Sequence, residues 1–117
     1  MTDVTTEGRP QSVATAQVPA SEGQFCDKGG RFGPHNVHEM RPGTLSDPNT
    51  IYLTYFNAGL RVVDVSDPTA PREVAYFVPP APPNRSSIQF NDVLVGANGL
   101  IYVTDRYTGG LYILERI

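Results

Sequence analysis

No ten-residue stretch of this chain carries apolar residues at helical spacing, so the expectation is a nearly all-β protein. No run of about 18 apolar residues occurs either, and the polar start MTDVTTEGRPQS has neither the positive nor the apolar region of a secretory leader. No membrane partner is expected on that reading, and a cytoplasmic location is the default. Charge is scarce: only 18% of the 117 residues are charged, light for a lone domain with a wholly solvated surface, so part of the surface should be covered. The net charge of −3 leaves no basic stripe for a nucleic-acid partner. A single cysteine, Cys26, cannot close an intrachain disulfide, and no base lies near it in sequence to activate it as a nucleophile. The glycine run GGRFG, Gly29 to Gly33, lacks the preceding strand, the spacing and the following helix of a phosphate-binding loop, and reads as turn chemistry.

What the chain does have is a repeat. IYLTYFNAGLRVVD, starting at Ile51, returns as IYVTDRYTGGLYILE, starting at Ile101, with Tyr52 on Tyr102, Thr54 on Thr104, Gly59 on Gly110 and Leu60 on Leu111. A period of about 50 residues lies in the range of propeller blades. Upstream of each copy lies a candidate strand, HNVHE (His35 to Glu39) and NDVLV (Asn91 to Val95). Setting Val37 on Val93 leaves 14 residues before Ile51 against 8 before Ile101, a six-residue insertion that falls in RPGTLSDPNT. The second repeat makes the same join with GANG, an Asn-Gly hairpin signal of the tight type.

Alternating β-branched and aromatic residues place strands at Ile51 to Tyr55, Leu60 to Val65 and Arg72 to Val78, then at Ile101 to Asp105 and Leu111 to Glu115. The turns FNAG and RYTGG join each hairpin, with the glycine at the position that needs positive φ. Naming the strands of one unit A to D, the first unit has A at His35, B at Ile51, C at Leu60 and D at Arg72. The second has A, B and C and then ends. Ser12 to Val18, a short strand-like run, stands where a D strand would precede an A strand. The chain order becomes D-ABCD-ABC: two four-stranded blades, one at about residues 35–78, the other at about 91–117 completed by residues 12–18. Residues 1–11 are expected to be a disordered tail.

The stretch LRVVDVSDPTAPREVAYF resembles the LVIVD repeat, a β-propeller repeat built as a hydrophobic strand, then Asp, Ser, Asp-Pro and a second strand. The wider pattern, from FC and GRFGPHNVHE through IYLTYFNAGLRVVDVSDP to IYVTDRYTGGLYILE, is similar to the C-terminal two-blade part of longer bacterial LVIVD-repeat proteins. That resemblance implies a propeller architecture and little about activity. Propellers have about 4 to 8 blades, so two blades must be completed. The direct solution is a head-to-tail homo-oligomer, with a trimer of six blades favoured and a tetramer next. A fragment of a longer chain and a single eight-stranded sandwich are the alternatives, and the blade-like repeat argues against the sandwich.

In a propeller the A strand is innermost, which places His35, Asn36, His38 and Glu39 of one unit, and Asn91 and Asp92 of the other, near the axis. His35, His38, Glu39 and Asp92 suit a divalent metal such as zinc, iron or copper, and Asn36 and Asn91 would line the channel. The competing reading, which the residues favour, has His35 and Asn36 bonding neighbouring backbone where blades meet and His38 on another face of its strand. Asp64 and Asp67 read as turn formers. Arg31, Arg61, Arg72 and Arg106 read as cross-blade pairing partners rather than an anion site, and Asn84-Arg85-Ser86 fits a glycosylation acceptor only formally. Three readings follow. The first is a non-catalytic propeller module that self-assembles and binds a protein or small ligand at its channel or loop face, with no assured cofactor. The second is a metal-dependent enzyme with a His/carboxylate site on the axis, and the third is a blade unit with no independent activity, kept for its ability to assemble.

Overall fold

The computed structural model describes residues 1–16, 18, 23–107 and 110–117. Among them are eight strands and almost no helix: β1 (Thr2–Asp3), β2 (Gln11–Ser12), β3 (Thr50–Thr54), β4 (Leu60–Asp64), β5 (Arg72–Phe77), β6 (Phe90–Val95), β7 (Ile101–Asp105) and β8 (Gly110–Leu114). They form three antiparallel sheets, the ribbon β1-β2 and the three-stranded sheets β3-β4-β5 and β6-β7-β8. Both repeats use one register. Tyr52 opposes Val62 and Thr54 opposes Leu60, just as Tyr102 opposes Ile113 and Thr104 opposes Leu111.

A fourth, irregular segment extends the first sheet on its β3 side. Val37 bridges Leu53, His35 N donates to Thr54 O at 2.9 Å, Thr54 N donates to Asn36 O at 2.8 Å and His38 N donates to Tyr52 O at 2.9 Å. The six-residue insertion that follows is not a free loop. Thr44 bridges Gly96, Leu45 N donates to Val95 O at 2.9 Å, and the Leu45 side chain packs on the core.

The turns show what the sequence signals mean. Gly59 has φ +79°, and a Cβ there would lie 2.1 Å from Phe77 O, so this turn admits only glycine. Phe56, two residues before Ala58, also has positive φ (+49°), and its carbonyl accepts from Gly59 N and from Phe90 N, each at 3.1 Å. GANG is not the tight two-residue turn expected. Gly96 N donates to Leu100 O and Gly99 N to Gly96 O, both at 2.9 Å, and positive φ falls on Gly99 (+82°) but not on Asn98. This is a three-residue loop with its left-handed residue last. In RYTGG, Thr108 and Gly109 lie outside the described residues, and Gly110 opens β8.

The two three-stranded sheets pack face to face. One face of the first sheet, Tyr52, Leu60 and Val62 with Ala75 and Phe77, meets one face of the second, Val93, Val95, Ile101 and Val103 with Tyr112 and Leu114. Three rings tie β5, β6 and β8 together, Phe77 to Phe90 at 6.2 Å, Phe77 to Tyr112 at 5.9 Å and Phe90 to Tyr112 at 5.1 Å. Such pairs each add about 0.5–1.5 kcal/mol beyond their buried area. These two faces are not repeat-equivalent. Tyr52 is buried but its mate Tyr102 lies on the opposite face of its sheet, so the sheets stack head to tail and not across a two-fold axis. The radius of gyration is 15.0 Å, against about 13 Å for a compact domain of this length, as suits a slab with open outer faces.

Three expectations need correction. Residues 1–11 are not a featureless tail: Thr2 opposes Ser12 and Asp3 opposes Gln11, Val13 N donates to Met1 O at 3.0 Å, and the Met1 amine donates to Ala14 O. Residues 12–18 do not complete the second sheet. Ser12 is spent on the ribbon, Val18 packs with Phe25 and Ala58, and β8 is an edge strand; Gln17 lies outside the described residues. Finally, the arginine pairs run within a sheet. Arg61 meets Glu73 at 3.2 Å across β4 and β5, and Arg72 meets Asp64 at 3.4 Å.

Candidate functional site

Where residues 35–39 run beside β6, they form an open groove of about 420 Å³. The sequence candidates His35, Asn36, His38, Glu39 and Asp92 all line it. Asn91 contributes differently: its carbonyl oxygen accepts hydrogen bonds from His35 Nδ1 at 2.8 Å and from Thr54 Oγ1 at 3.1 Å. A carbonyl can only accept, so His35 Nδ1 carries a proton, and in the neutral ring Nε2 keeps its lone pair. The ring rests 4.6 Å from that of Phe56, centroid to centroid. Asn36 reaches across to the second sheet, where its Nδ2 donates to Asp92 Oδ1 at 3.3 Å; the same oxygen accepts Val93 N at 2.9 Å.

His38 is fully engaged. Its Nε2 donates to Leu45 O at 2.9 Å and its Nδ1 accepts from Val95 N at 3.2 Å, so both ring nitrogens hold the insertion loop against β6. Glu39 is held by Arg41, whose Nε donates to Glu39 Oε2 at 2.8 Å. Both ring nitrogens of His38 are therefore spent on backbone, Glu39 bonds Arg41, and Asp92 bonds Asn36 and Val93; among the described residues no three His, Cys, Asp or Glu side chains gather as a metal site. His35 alone presents a free ring nitrogen.

Sequence reasoning missed Arg41, Leu94, Tyr102 and Thr104, which also line the groove. Strand parity could have found the last three, since Leu94, Tyr102 and Thr104 share one face by register. It also missed three buried polar residues, of which Asn57 and Gln89 fasten the segment from Phe25 to Phe32. Asn57 Nδ2 donates to Phe25 O at 2.7 Å and Gly29 O at 3.2 Å. Gln89 exchanges bonds with Arg31, accepting its amide at 2.8 Å and donating to its carbonyl at 3.2 Å. Asp105 Oδ1 accepts Gln89 N at 3.1 Å and Tyr107 N at 3.0 Å. No composition signal marks such residues, because their partners are distant backbone groups.

Away from the groove, Asp64 and Asp67 form the turns expected of DVSDP. The Ser66 amide holds the Asp64 carboxyl below its ordinary range, and the Thr69 hydroxyl, then its amide, do the same for Asp67. Cys26 is exposed and free. No helix among the described residues is long and apolar enough to cross a membrane.

No curated protein and no solved structure matches the chain. A family model described as the LVIVD repeat matches residues 49–77, which contain β3, β4 and β5. The all-β architecture of small antiparallel sheets agrees with the propeller-type module that such a repeat suggests. This chain carries an LVIVD repeat.

Proposed function

We propose that the chain is a non-catalytic β-propeller-type module that assembles with copies of itself and binds a small polar ligand in the groove between residues 35–39 and β6. The observation that carries the ligand reading is His35: its Nδ1 is pinned to the Asn91 carbonyl, leaving Nε2 as a fixed acceptor beside Asn36 and Asp92. A pre-set acceptor next to donors and a carboxylate suits a ligand bearing both donors and acceptors, in the manner of concave sites whose few polar groups set orientation. Assembly as a closed ring of two-bladed chains, three chains first and four next, is supported by the head-to-tail stacking of the two sheets. Amide NMR against a library of small polar compounds tests the site. Binding should shift the amides of residues 35–39 and 91–94, and His35→Ala should abolish it. Ligands that bind elsewhere, or that bind His35→Ala equally well, would sink the reading.

The metal-dependent alternative now depends on His35 of several chains meeting at the axis, since Nε2 is the one free ring nitrogen of the set. Metal analysis of protein purified without chelator decides it. Equal melting temperatures with and without chelator would remove it, because a metal held only by the folded state raises stability by mass action.

A further inference from the structure

Among the described residues, Asn57 Oδ1 is the one buried side-chain oxygen or nitrogen with no hydrogen-bond partner. Its orientation is fixed. Nδ2 donates to two carbonyls, Phe25 O at 2.7 Å and Gly29 O at 3.2 Å, and a carbonyl cannot donate back, so the amide oxygen has to face away from them. Buried polar atoms left in this state are rare and costly, and this one asks for a donor.

Asn57 lines a hollow of about 350 Å³ beside the proline-rich segment that follows β5, and the hollow shares no lining residue with the groove. Its floor is Asn57, Ser87 and Ile88, which are 1%, 3% and 1% exposed. Ser87 Oγ donates to Gly29 O at 3.1 Å, which leaves Asn57 as the unmet acceptor of the floor. Val78 and Pro79 make a half-buried apolar wall, and the exposed Lys28 and Ser86 stand at the rim. Lys28 Nζ lies 4.8 Å from the centre of the Phe25 ring, and no carboxylate of the described residues pairs with it.

We propose that this hollow is a second ligand site, for a small carboxylic acid that carries an apolar side chain and an N–H or O–H group. The donor meets Asn57 Oδ1, the carboxylate meets Lys28 Nζ and the Ser86 hydroxyl, and the side chain lies on Val78, Pro79 and Ile88. Each requirement comes from a group in the hollow. An unmet acceptor on the floor selects a ligand with a donor and rejects one without, because the buried oxygen then stays unpaired. An unpaired cation at the rim selects an anion. Oδ1 lies out of reach of solvent, so entry of the donor needs the rim to give. The exposed side chain of Lys28 is the part that yields, since its flexible stem can leave the Phe25 ring and turn to the carboxylate. The volume lies near the lower end for ligand sites, as suits a small acid.

Amide NMR on the full chain tests the site with three probes: N-acetylleucine, which has all three groups, isocaproate, which lacks the donor, and N-acetylleucine amide, which lacks the charge. N-acetylleucine should shift the amides of Lys28, Gly29, Ser86, Ser87 and Ile88. Its affinity should exceed that of either analogue by about tenfold, and should fall by about as much in Lys28→Ala, whose exposed position leaves the fold intact. The two analogues read the roles of Asn57 and Lys28 without any change to the protein. N-acetylleucine that leaves these amides unmoved at millimolar concentration, or shifts those of residues 35–39 instead, would overturn the site. Isocaproate binding equally well would overturn the role of Asn57, and equal binding of the amide, or of N-acetylleucine to Lys28→Ala, would overturn the carboxylate class.

Discussion

The two three-stranded sheets share a register, a turn position and most of their side-chain types, yet Leu60 is buried while Leu111 is exposed. Nothing local separates them. The first sheet has the second lying on its Tyr52 face, whereas among the described residues no sheet lies on the second's Tyr102 face, only the groove edge formed by residues 35–39. Burial in a repeat protein belongs to the neighbour and not to the strand.

The sharpest way to break that comparison is to truncate both leucines. Leu60→Ala should cost about 2–5 kcal/mol, as buried Leu→Ala changes do, whereas Leu111→Ala should stay within about 0.5 kcal/mol in dilute protein. Denaturant melts of the two variants check both values. Next in size come the two turn glycines. Gly59→Ala places a Cβ against Phe77 O and forces a left-handed alanine, costing about 1–2 kcal/mol for the backbone alone, plus the clash. Gly110→Ala meets only the Tyr112 ring at 3.7 Å, an ordinary contact, and should leave the melting temperature nearly unchanged. Then Asn57→Ala removes two bonds, to Phe25 O and Gly29 O. The loss should be about 1–3 kcal/mol by thermal melt.

The smallest effect is pH-dependent and distinguishes the first sheet's Asp turn, for which the second has no copy. The folded carboxyl of Asp67 lies below its ordinary value of 3.8, so its contribution is fully present above that value and fades as pH falls through the lowered one. Urea midpoints in neutral and acid buffer should therefore fall slightly less on acidification in Asp67→Asn than in the wild type. A larger acid loss in Asp67→Asn would reverse the assigned sign.

Much of the fold is legible because alternation and a self-aligning repeat are local signals. Tyr52, Thr54, Leu60 and Val62 announce strands, and Tyr102, Thr104, Leu111 and Ile113 announce them again. Partnership was not legible. SVATAQV has β-forming residues, but its composition says nothing of which edge it meets, and Ser12 pairs with Thr2. Asn98-Gly99 signals a turn without saying which residue turns left-handed; Asn98 Oδ1 instead accepts Leu100 N at 3.2 Å. At the groove, His35, Asn36 and His38 lie on a segment that bridges β3 and bonds residues of β6. Their spacing could not show that His38 spends both nitrogens on backbone, because Leu45 and Val95 reach it only through the insertion loop and the second sheet.

Phe56 has one more consequence, for folding. Its left-handed backbone is strained for an aromatic residue, and its carbonyl is shared between its own hairpin and Phe90 N at 3.1 Å on the other sheet. A hairpin loop whose strained residue is held in place by another repeat is hard to finish by itself. The two repeats should therefore open together, as one cooperative unit and not as two independent ones. Native-state hydrogen exchange should give the amides of β3, β4 and β6 a common opening free energy; a first sheet that persists while β6 exchanges would show that the repeats are separable.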